Sequence, residues 1–473
     1  MTLVMPTRIL IVGGGGREHA LAWKLGSEPG VNEVIVAPGS AAIASEPRVR
    51  CAPEVDPLDG ASVVAAARRG AVELVVIGPE APLAAGVADA LLEAGFAVFG
   101  PTAAAARIES SKAFCRDVAA AAGVRIARGG SFQDALEAVA FAREVAASGG
   151  GVVVKADGLS AGKGVTVCGS AEEAEAAIGR LAAASTLRPT AGRDATNGTR
   201  TSAADWVVVE ERLQGREASL IALCDGRLAI ALPMARDHKR LLDGDGGPNT
   251  GGMGAYSPLS DLPDDAADEL LATFHRPILA ELARRGTAFR GALYAGLMLT
   301  DDGPVLLECN ARFGDPETQA ILPRLAVALG PVLLAAARGD LSPAISNPLD
   351  GLTGVSRLPT RPGATVAIVL AAAGYPGAPR AGDAIEGLAD AATTGAIVFH
   401  AGTTRDEGGT FRTSGGRVLS VVGQGPDLAA ARLAANAAAD RIHADGLQHR
   451  RDIAAESNPV AAAHADATAS LVR

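Results

Sequence analysis

Short apolar runs alternate with amphipathic segments along the first hundred residues. The runs RILIV, EVIVAP, ELVVI and AVF are typical of buried strands, and helical apolar spacing separates them at 17–25, 61–70 and 83–95. This alternation predicts βαβ units and an open parallel α/β sheet over residues 1–110. Ligands of such sheets bind beyond the carboxyl ends of the strands, where the glycines after Val12 and the Gly78-Pro79-Glu80 segment fall.

The pattern changes after residue 110. Two helices are predicted at 111–123 and 132–147, and a strand hairpin, GVVVKAD and GVTVC, then encloses a glycine-rich loop. Further strands follow, together with one long helix at 264–286. Composition predicts a central domain at 111–340, which contains a polar insertion at 185–204. A linker rich in Pro, Ser and Asn follows at 341–360, then an α+β domain at 361–453 and a disordered tail at 454–473.

Charge and composition exclude several classes of function. The 473 residues include 43 basic and 53 acidic ones, so the net charge is −10, which argues against nucleic-acid partners. Only 3% of the residues are aromatic, which leaves few side chains on which bases could stack. No run reaches about 18 uninterrupted apolar residues, so no membrane span is expected. The five cysteines are scattered and form no CxxC pair, which argues against a disulfide framework and indicates a cytoplasmic setting. The same spacing argues against a thiolate zinc site, so oxygen ligands are favoured for any metal.

The first glycine loop, Gly13 to Gly16, does not complete a dinucleotide-binding fingerprint. The place of its third glycine holds Glu18 or His19, depending on the starting residue, so a nicotinamide cofactor is disfavoured. A helix N-terminus with free backbone amides, beside Arg17, still suits a single phosphate. The alternative is a tight turn that binds no ligand.

The second glycine loop lies between Lys155 and Gly164. It is not a P-loop, because Asp157 takes the place of the first glycine and Gly164 that of the Ser or Thr. A hairpin that carries Lys155 and Lys163 can nevertheless close over a triphosphate. The alternative is a solvated β-hairpin.

A third cluster, ECNARFGDPE, begins at Glu308. Glu308 and Asn310 share one face of a strand and offer two oxygen ligands, which suits Mg²⁺ that completes its shell with phosphate and water. Arg312 can grip a carboxylate with two hydrogen bonds. An ordinary salt bridge is the alternative, but an unpaired charge next to the apolar run VLL would be costly, which favours the metal.

A fourth cluster combines charge and glycine around one loop. DHKR, at 237–240, precedes PNTGGMG, at 248–254. Separately, these would indicate a solvated turn and a flexible stretch. Together they suit a lid over anionic substrates.

These segments together resemble the phosphoribosylamine–glycine ligase family of the ATP-grasp superfamily. The resemblance runs in order from about Arg8 to Ile453, and GPNTGGMGAYSP and RFGDPETQ are its most specific strings. The other matching strings are GGREHALAWK, IGPEAPL, FGPT, SKAF, KADGLSAGKGV, DHKR, LYAGLM, GGRVL and RRDI.

The resemblance implies an N-terminal α/β domain, a central ATP-grasp fold with a mobile lid at about 125–205, and a C-terminal α+β domain. It implies an enzyme that joins 5-phosphoribosylamine to glycine with ATP and Mg²⁺ or Mn²⁺, through glycyl phosphate, in purine biosynthesis. Such phosphoryl transfer needs positioning and charge neutralisation rather than a protein nucleophile. We expect small-molecule substrates and a monomer. The alternative function is that of another ATP-grasp carboxylate–amine ligase of purine biosynthesis.

Roles carry over by position within the matching strings. The resemblance assigns ATP contacts to Lys112, Lys155, Gly162, Lys163, Glu210, Glu211, Leu213 and Glu217, and the metal to Glu308 and Asn310. Within the ATP set, it places adenine against the backbone of the strand at 209–213 and the ribose near Glu217. It assigns glycine and the reacting centre to Arg312, Asp315, Asp237 and Lys239. It assigns phosphoribosylamine to Gly15, Gly16, Arg17, Glu18, Glu80, Asn249, Thr250, Gly251, Gly252, Met253 and Gly254.

Overall fold

The structure, a computed structural model, describes residues 3–158, 164–184, 206–346 and 357–455. Its N-terminal strands are β1 (Arg8–Gly13), β2 (Glu33–Pro38), β3 (Val49–Cys51), β4 (Leu74–Ile77) and β5 (Val98–Phe99). The helices are α1 (Gly16–Gly26), α2 (Gly60–Arg69), α3 (Glu80–Ala84), α4 (Val87–Glu93) and α5 (Ala103–Ser110). All strands are parallel, in the order β3-β2-β1-β4-β5, so the predicted open α/β sheet is confirmed.

Two helix predictions are wrong in detail. The segment 83–95 forms two helices, because Gly86 takes a left-handed φ of 83° between α3 and α4. Phe132 ends a strand instead of starting a helix. The helix begins only at Ala135, where Asp134 caps it by accepting hydrogen bonds from the backbone of Leu136 and Glu137.

The central part of the chain carries two four-stranded antiparallel sheets and one two-stranded hairpin. Its elements are α6 (Lys112–Ala121), β6 (Gly129–Phe132), α7 (Ala135–Ala147), β7 (Val152–Ala156), β8 (Val165–Cys168), α8 (Ala171–Ala184), β9 (Val207–Glu211), β10 (Arg216–Asp225), β11 (Ala229–Ala231), β12 (Arg236–Asp237), β13 (Arg240–Leu242), β14 (Gly246–Asn249), β15 (Gly254–Ser257), α9 (Ala266–Leu270), α10 (Arg276–Arg284), β16 (Arg290–Thr300), β17 (Gly303–Asn310), α11 (Glu317–Ile321), α12 (Gly330–Arg338) and α13 (Ser342–Ser346). One sheet, β6-β9-β7-β8, has a small apolar core of its own with α7 and α8, and we call these elements the lid. The other sheet is β11-β10-β16-β17.

The C-terminal sheet is completed by strands from the central part of the chain. Its own elements are β18 (Ala364–Ala371), α14 (Leu388–Ala392), β19 (Ile397–His400), β20 (Thr403–Arg405), β21 (Phe411–Thr413), β22 (Arg417–Gly425) and α15 (Leu428–Ala439). The strand order is β12-β15-β18-β22-β19, so β15 pairs with β18 across the predicted boundary at 361, and β12 joins the sheet by pairing with β15. The sequence pattern did not indicate this pairing, which fixes the DHKR segment against the C-terminal part.

The predicted helix at 264–286 is interrupted by a π-helical turn, Leu271–His275, between α9 and α10. Across the described parts of the chain, we find no helix with the length and apolarity that crossing a membrane requires.

The π-helical turn Leu271–His275 buries a neutral histidine. His275 is 0% exposed, and its Nε2 lies 3.1 Å from the carbonyl oxygen of Leu293. A carbonyl only accepts hydrogen bonds, so Nε2 carries the proton and donates it. Burial lowers the pKa of His275 to about 4.

We expect His275→Phe to reduce the acid sensitivity of the fold. The unfolded histidine takes up a proton below pH about 6.5, whereas the buried ring does so only near pH 4. Stability is therefore lost as the pH falls through this window, by about 2 kcal/mol between pH 7 and pH 5. Melting temperatures across this range should fall less for the variant than for the parent protein. His443→Phe, at an exposed position, is the control, and equal slopes for His275→Phe and the parent would contradict the expectation.

Candidate active site

A cavity of about 1470 Å³ opens where the N-terminal sheet, the lid, the central sheet and the C-terminal segments meet. It gathers most residues singled out in the sequence. Those that line it are Arg17, Glu80, Lys112, Lys155, Glu210, Glu211, Leu213, Glu217, Asp237, Lys239, Asn249, Thr250, Gly251, Glu308, Asn310, Arg312 and Asp315.

Six predicted substrate contacts do not line this cavity: Gly15, Gly16, Glu18, Gly252, Met253 and Gly254. Met253 is 0% exposed, and the α carbon of Gly254 packs so close to Ile453 that a Cβ there would lie 2.8 Å from it. Gly162 and Lys163 fall outside the described residues. Their roles stay predictions.

The first glycine loop encloses an acidic side chain of the chain itself. The Glu18 carboxylate accepts hydrogen bonds from the Gly15 amide and from Arg17 Nε, both at 2.7 Å. Gly13 adopts a φ of 125°, and a Cβ at that position would lie 2.6 Å from the Glu18 Cγ, so the turn requires glycine. The Gly15 amide is therefore not free for a phosphate, contrary to the expectation of free amides at this helix end. Arg17 remains at the cavity.

Lys112 and Lys155 are fixed at the lid side of the cavity. Lys155 Nζ lies 2.6 Å from the Glu210 carboxylate and donates to the Leu307 carbonyl oxygen at 3.1 Å. Lys112 Nζ donates to the Gly158 carbonyl oxygen at 2.9 Å, and burial lowers the pKa of its ammonium group. The structure therefore brings both ammonium groups to one wall.

The strand that was expected to hold adenine is largely engaged within the protein. The Glu211 amide donates to the Arg128 carbonyl oxygen at 2.8 Å, and the Glu210 carboxylate is shared between Lys155 and Arg116. Leu213 lies beyond the end of β9 and lines the cavity. Sequence reasoning missed Arg116, because a charged residue on a predicted helix gives no sign that it pairs with Glu210, 94 residues further along the chain.

Glu308 and Asn310 line the cavity from the C-terminal end of strand β17. Glu308 Oε1 lies 3.8 Å from Lys239 Nζ. Burial would raise the pKa of Glu308, but the positive charges of Lys239, Lys155 and Lys112 outweigh it and lower the pKa. The carboxylate is thus ionised and available as a ligand.

The two oxygen donors fit a hard divalent cation. Among the residues that the structure describes, no three His, Cys, Asp or Glu side chains form a metal-binding group. A cation held by Glu308 and Asn310 would thus complete its shell with substrate oxygens and water, which is the usual manner for Mg²⁺.

Lys239 lies between two carboxylates, with its Nζ 2.7 Å from Glu217 Oε2. Glu217, expected near a ribose, is therefore engaged by this ammonium group. Asp237, on β12, is half-buried, and desolvation raises its pKa to about 8 although Lys239 opposes the shift. The cavity thus favours the protonated form of Asp237 at neutral pH.

Arg312 is oriented by two acidic side chains. Its Nη2 lies 3.1 Å from Glu109 Oε1, and its Nε lies 3.5 Å from Glu80 Oε2. Burial raises the pKa of Glu109, which also accepts a hydrogen bond from the Ala311 amide at 2.8 Å. Sequence reasoning missed Glu109, whose position just before SKAF carried no recognisable signal.

Asp315 is held by Arg417 of the C-terminal part. Arg417 Nη2 donates to Asp315 Oδ2 at 3.0 Å, and Nη1 donates to the carbonyl oxygens of Asp315 and Gly251 at 2.6 Å. Burial would raise the pKa of Asp315, but Arg417 and Arg17 hold it low. The Tyr375 hydroxyl accepts from the Gly251 amide at 2.9 Å. Neither Arg417 nor Tyr375 was a candidate, although the GGRVL string contains the arginine.

Comparisons with known proteins agree with this architecture. Family models described as the N domain, the ATP-grasp (A) domain and the C domain of phosphoribosylglycinamide synthetase match residues 7–109, 110–318 and 365–456. The phosphoribosylamine–glycine ligase of Streptomyces coelicolor is 47% identical over 95% of this chain and 99% of its own length. That of Leifsonia xyli is 46% identical over 95% of this chain and all of its own length.

Solved structures with similar folds agree with these family matches. The crystal structure of the phosphoribosylamine–glycine ligase of Thermotoga maritima has a TM-score of 0.70 at 32% identity and covers 94% of this chain and 100% of its own. A biotin carboxylase of Campylobacter jejuni, with a TM-score of 0.66 at 15% identity, covers 97% of each chain and shares the fold alone.

The parallel sheet, the lid and the cleft lined by lysines and carboxylates define an ATP-grasp enzyme, as the sequence predicted. ATP is its co-substrate. The chain belongs to the phosphoribosylamine–glycine ligase family. It catalyses the ATP-dependent ligation of 5-phosphoribosylamine and glycine, a step of purine biosynthesis.

Proposed function

We propose that the cleft performs this ligation through glycyl phosphate. A carboxylate oxygen of glycine attacks the γ-phosphorus of ATP, and the bond to the β–γ bridging oxygen breaks to release ADP. The amine of phosphoribosylamine then attacks the acyl carbon, loses a proton, and displaces phosphate. The observation that carries this proposal is one cavity lined by three lysines, two metal-type oxygen donors and an oriented arginine.

Lys112 and Lys155, with Lys163 and Gly162 of the lid loop, would neutralise the phosphates of ATP. Leu213, with the backbone at Glu210 and Glu211, would border the adenine, and Glu217 the ribose. Glu308 and Asn310 would hold Mg²⁺ or Mn²⁺, which draws charge from the transferring phosphoryl group. The ionised state of Glu308 supports this assignment.

Arg312 would bind the glycine carboxylate, because Glu109 and Glu80 fix its planar guanidinium at the cavity. Asp237 and Lys239 would flank the reacting centre, and Asp315 would order the loop around Gly251 through Arg417. Phosphoribosylamine would contact Arg17, Glu80 and the cavity-lining residues Asn249 to Gly251. These assignments use side chains that the cavity already exposes.

We also propose the domain division at 110, 340 and 361, a monomeric state and a cytoplasmic location. The N-domain model ends at residue 109 and the C-domain model begins at residue 365, which supports the first and third of these boundaries. The pairing of β15 with β18 means that the last two domains would share one sheet.

Glycine labelled with ¹⁸O in its carboxylate tests the glycyl phosphate route. The oxygen that attacks phosphorus leaves with the phosphate, so the released phosphate should carry one ¹⁸O atom per turnover, which mass spectrometry measures. Unlabelled phosphate together with labelled product would contradict the intermediate. Omission of glycine is the control and should abolish phosphate release.

A further inference from the structure

The RRDI string near the end of the chain contains a buried arginine that the proposed chemistry does not use. The Arg450 side chain is 1% exposed, and a guanidinium is costly to bury without partners. Nε and Nη2 each donate to the Asp452 carboxylate at 2.7 Å. Nη1 is directed away from this pair.

Nη1 of Arg450 reaches the hairpin formed by β13 and β14. It donates to the Arg240 carbonyl oxygen at 3.0 Å and to Asp245 Oδ1 at 2.8 Å. Two further hydrogen bonds connect the same two segments: the Gly244 amide donates to the Asp452 carboxylate at 2.8 Å, and the Arg451 amide donates to the Asp243 carboxylate at 2.8 Å. One charged side chain thus connects the C-terminal segment to both the first strand and the turn of the hairpin.

The two ends of this hairpin lie in the active-site cavity. Arg240 pairs with Asn249, and Lys239 immediately precedes Arg240. The carbonyl oxygen of Lys239 accepts hydrogen bonds from the amide and hydroxyl of Thr250, at 2.7 and 2.8 Å. The carbonyl that Arg450 holds is therefore one residue from the lysine that contacts Glu217 and Glu308.

We propose that Arg450 is a positioning residue for the ligation. By holding residues 240–249 at both the strand and the turn, it keeps Lys239 and Asn249 in place at the reacting centre. It acts through the backbone and does not touch substrate. The inference rests on the proposed role of the cleft, because Lys239 matters only if the chemistry occurs beside Glu308.

The neighbouring arginine supplies a matched control. The Arg451 side chain pairs with Asp440 at 2.6 and 2.9 Å, is 60% exposed, and makes no side-chain hydrogen bond to the hairpin within the described residues. Arg451→Met removes a similar charge next to Arg450 while leaving the guanidinium contacts to Arg240 and Asp245 intact.

Steady-state kinetics and hydrogen exchange on the full chain test the proposal. Arg450→Met should lower kcat by about tenfold to 100-fold, since misplacement of a catalytic group by about 1 Å has an effect of this size. The KM for ATP should change less than about twofold, because Lys112 and Lys155 are held by other segments. Amide exchange should become faster in 240–249, and Arg451→Met should leave all three quantities unchanged.

Several outcomes would overturn the proposal. These are a kcat within twofold of the parent protein, an equal fall in Arg451→Met, or faster exchange spread over the whole C-terminal sheet. If Arg450→Met does not fold, Arg450→Lys replaces it, because a lysine keeps a buried cation but cannot hold Asp452 with two bonds and Arg240 as well. Transfer of ¹⁸O by the parent protein is measured in parallel, so a failure of glycyl phosphate chemistry is distinguished from a failure of positioning.

Discussion

Glu308→Gln should lower kcat by about 1000-fold or more, because loss of a charged metal ligand removes roughly 4 kcal/mol of transition-state stabilisation. Glutamine preserves shape but removes the negative charge that Lys239, Lys155 and Lys112 surround. The side chain is about one-third exposed, so the melting temperature should change little. Initial rates of ADP formation at saturating substrates and Mg²⁺ measure the effect.

Asp302→Asn is the matched control for this variant. Asp302 lies in the turn between β16 and β17, on the same hairpin as Glu308, and its side chain is 90% exposed. We expect its kcat to equal that of the parent protein. A Glu308→Gln enzyme with more than about a tenth of the parent rate would contradict the metal assignment.

Arg312→Met has the second-largest expected effect. The variant loses a two-bond grip on the glycine carboxylate, so kcat/KM for glycine should fall by about 100-fold or more. It also leaves buried Glu109 without its cation, which should lower the free energy of unfolding by about 3 kcal/mol. Substrate-dependent rates and denaturant titrations measure the two losses separately.

A second substitution separates the catalytic loss from the structural one. Arg312→Met combined with Glu109→Gln removes the unpaired buried carboxylate and should recover part of the stability without recovering activity. Arg312→Lys should also stay impaired, because a lysine lacks the planar fork of the guanidinium. Recovery of kcat/KM in the double variant would show that Arg312 acts on stability alone.

The sequence predicted best those features that a local pattern determines. The parallel sheet follows from short apolar strands between amphipathic helices, and the joint presentation of Glu308 and Asn310 follows from strand periodicity. Of the glycine-rich strings, Gly158, Gly164 and Gly251 line the cavity, whereas Gly15, Gly16, Gly252 and Gly254 do not. Their individual glycines were harder to interpret, because Gly13 serves to accommodate Glu18 rather than a ligand.

Features that depend on distant parts of the chain could not be predicted. Glu109 and Arg312 are about 200 residues apart, and Arg417 reaches Asp315 from a different sheet. No local periodicity encodes such contacts, because they arise only when strands such as β15 and β18 pair. The interruption of the helix at Gly86 similarly required its left-handed φ to be known.

The dependence of ADP release on both co-substrates shows whether this protein ligates glycine to phosphoribosylamine. The purified protein is mixed with Mg-ATP, glycine and freshly prepared 5-phosphoribosylamine, and each component is omitted in turn. We predict ADP and the glycinamide product in equal amounts in the complete mixture, and neither above background without glycine or without phosphoribosylamine. ADP release that continues without one of them, or that needs a different carboxylate or amine, would contradict the account.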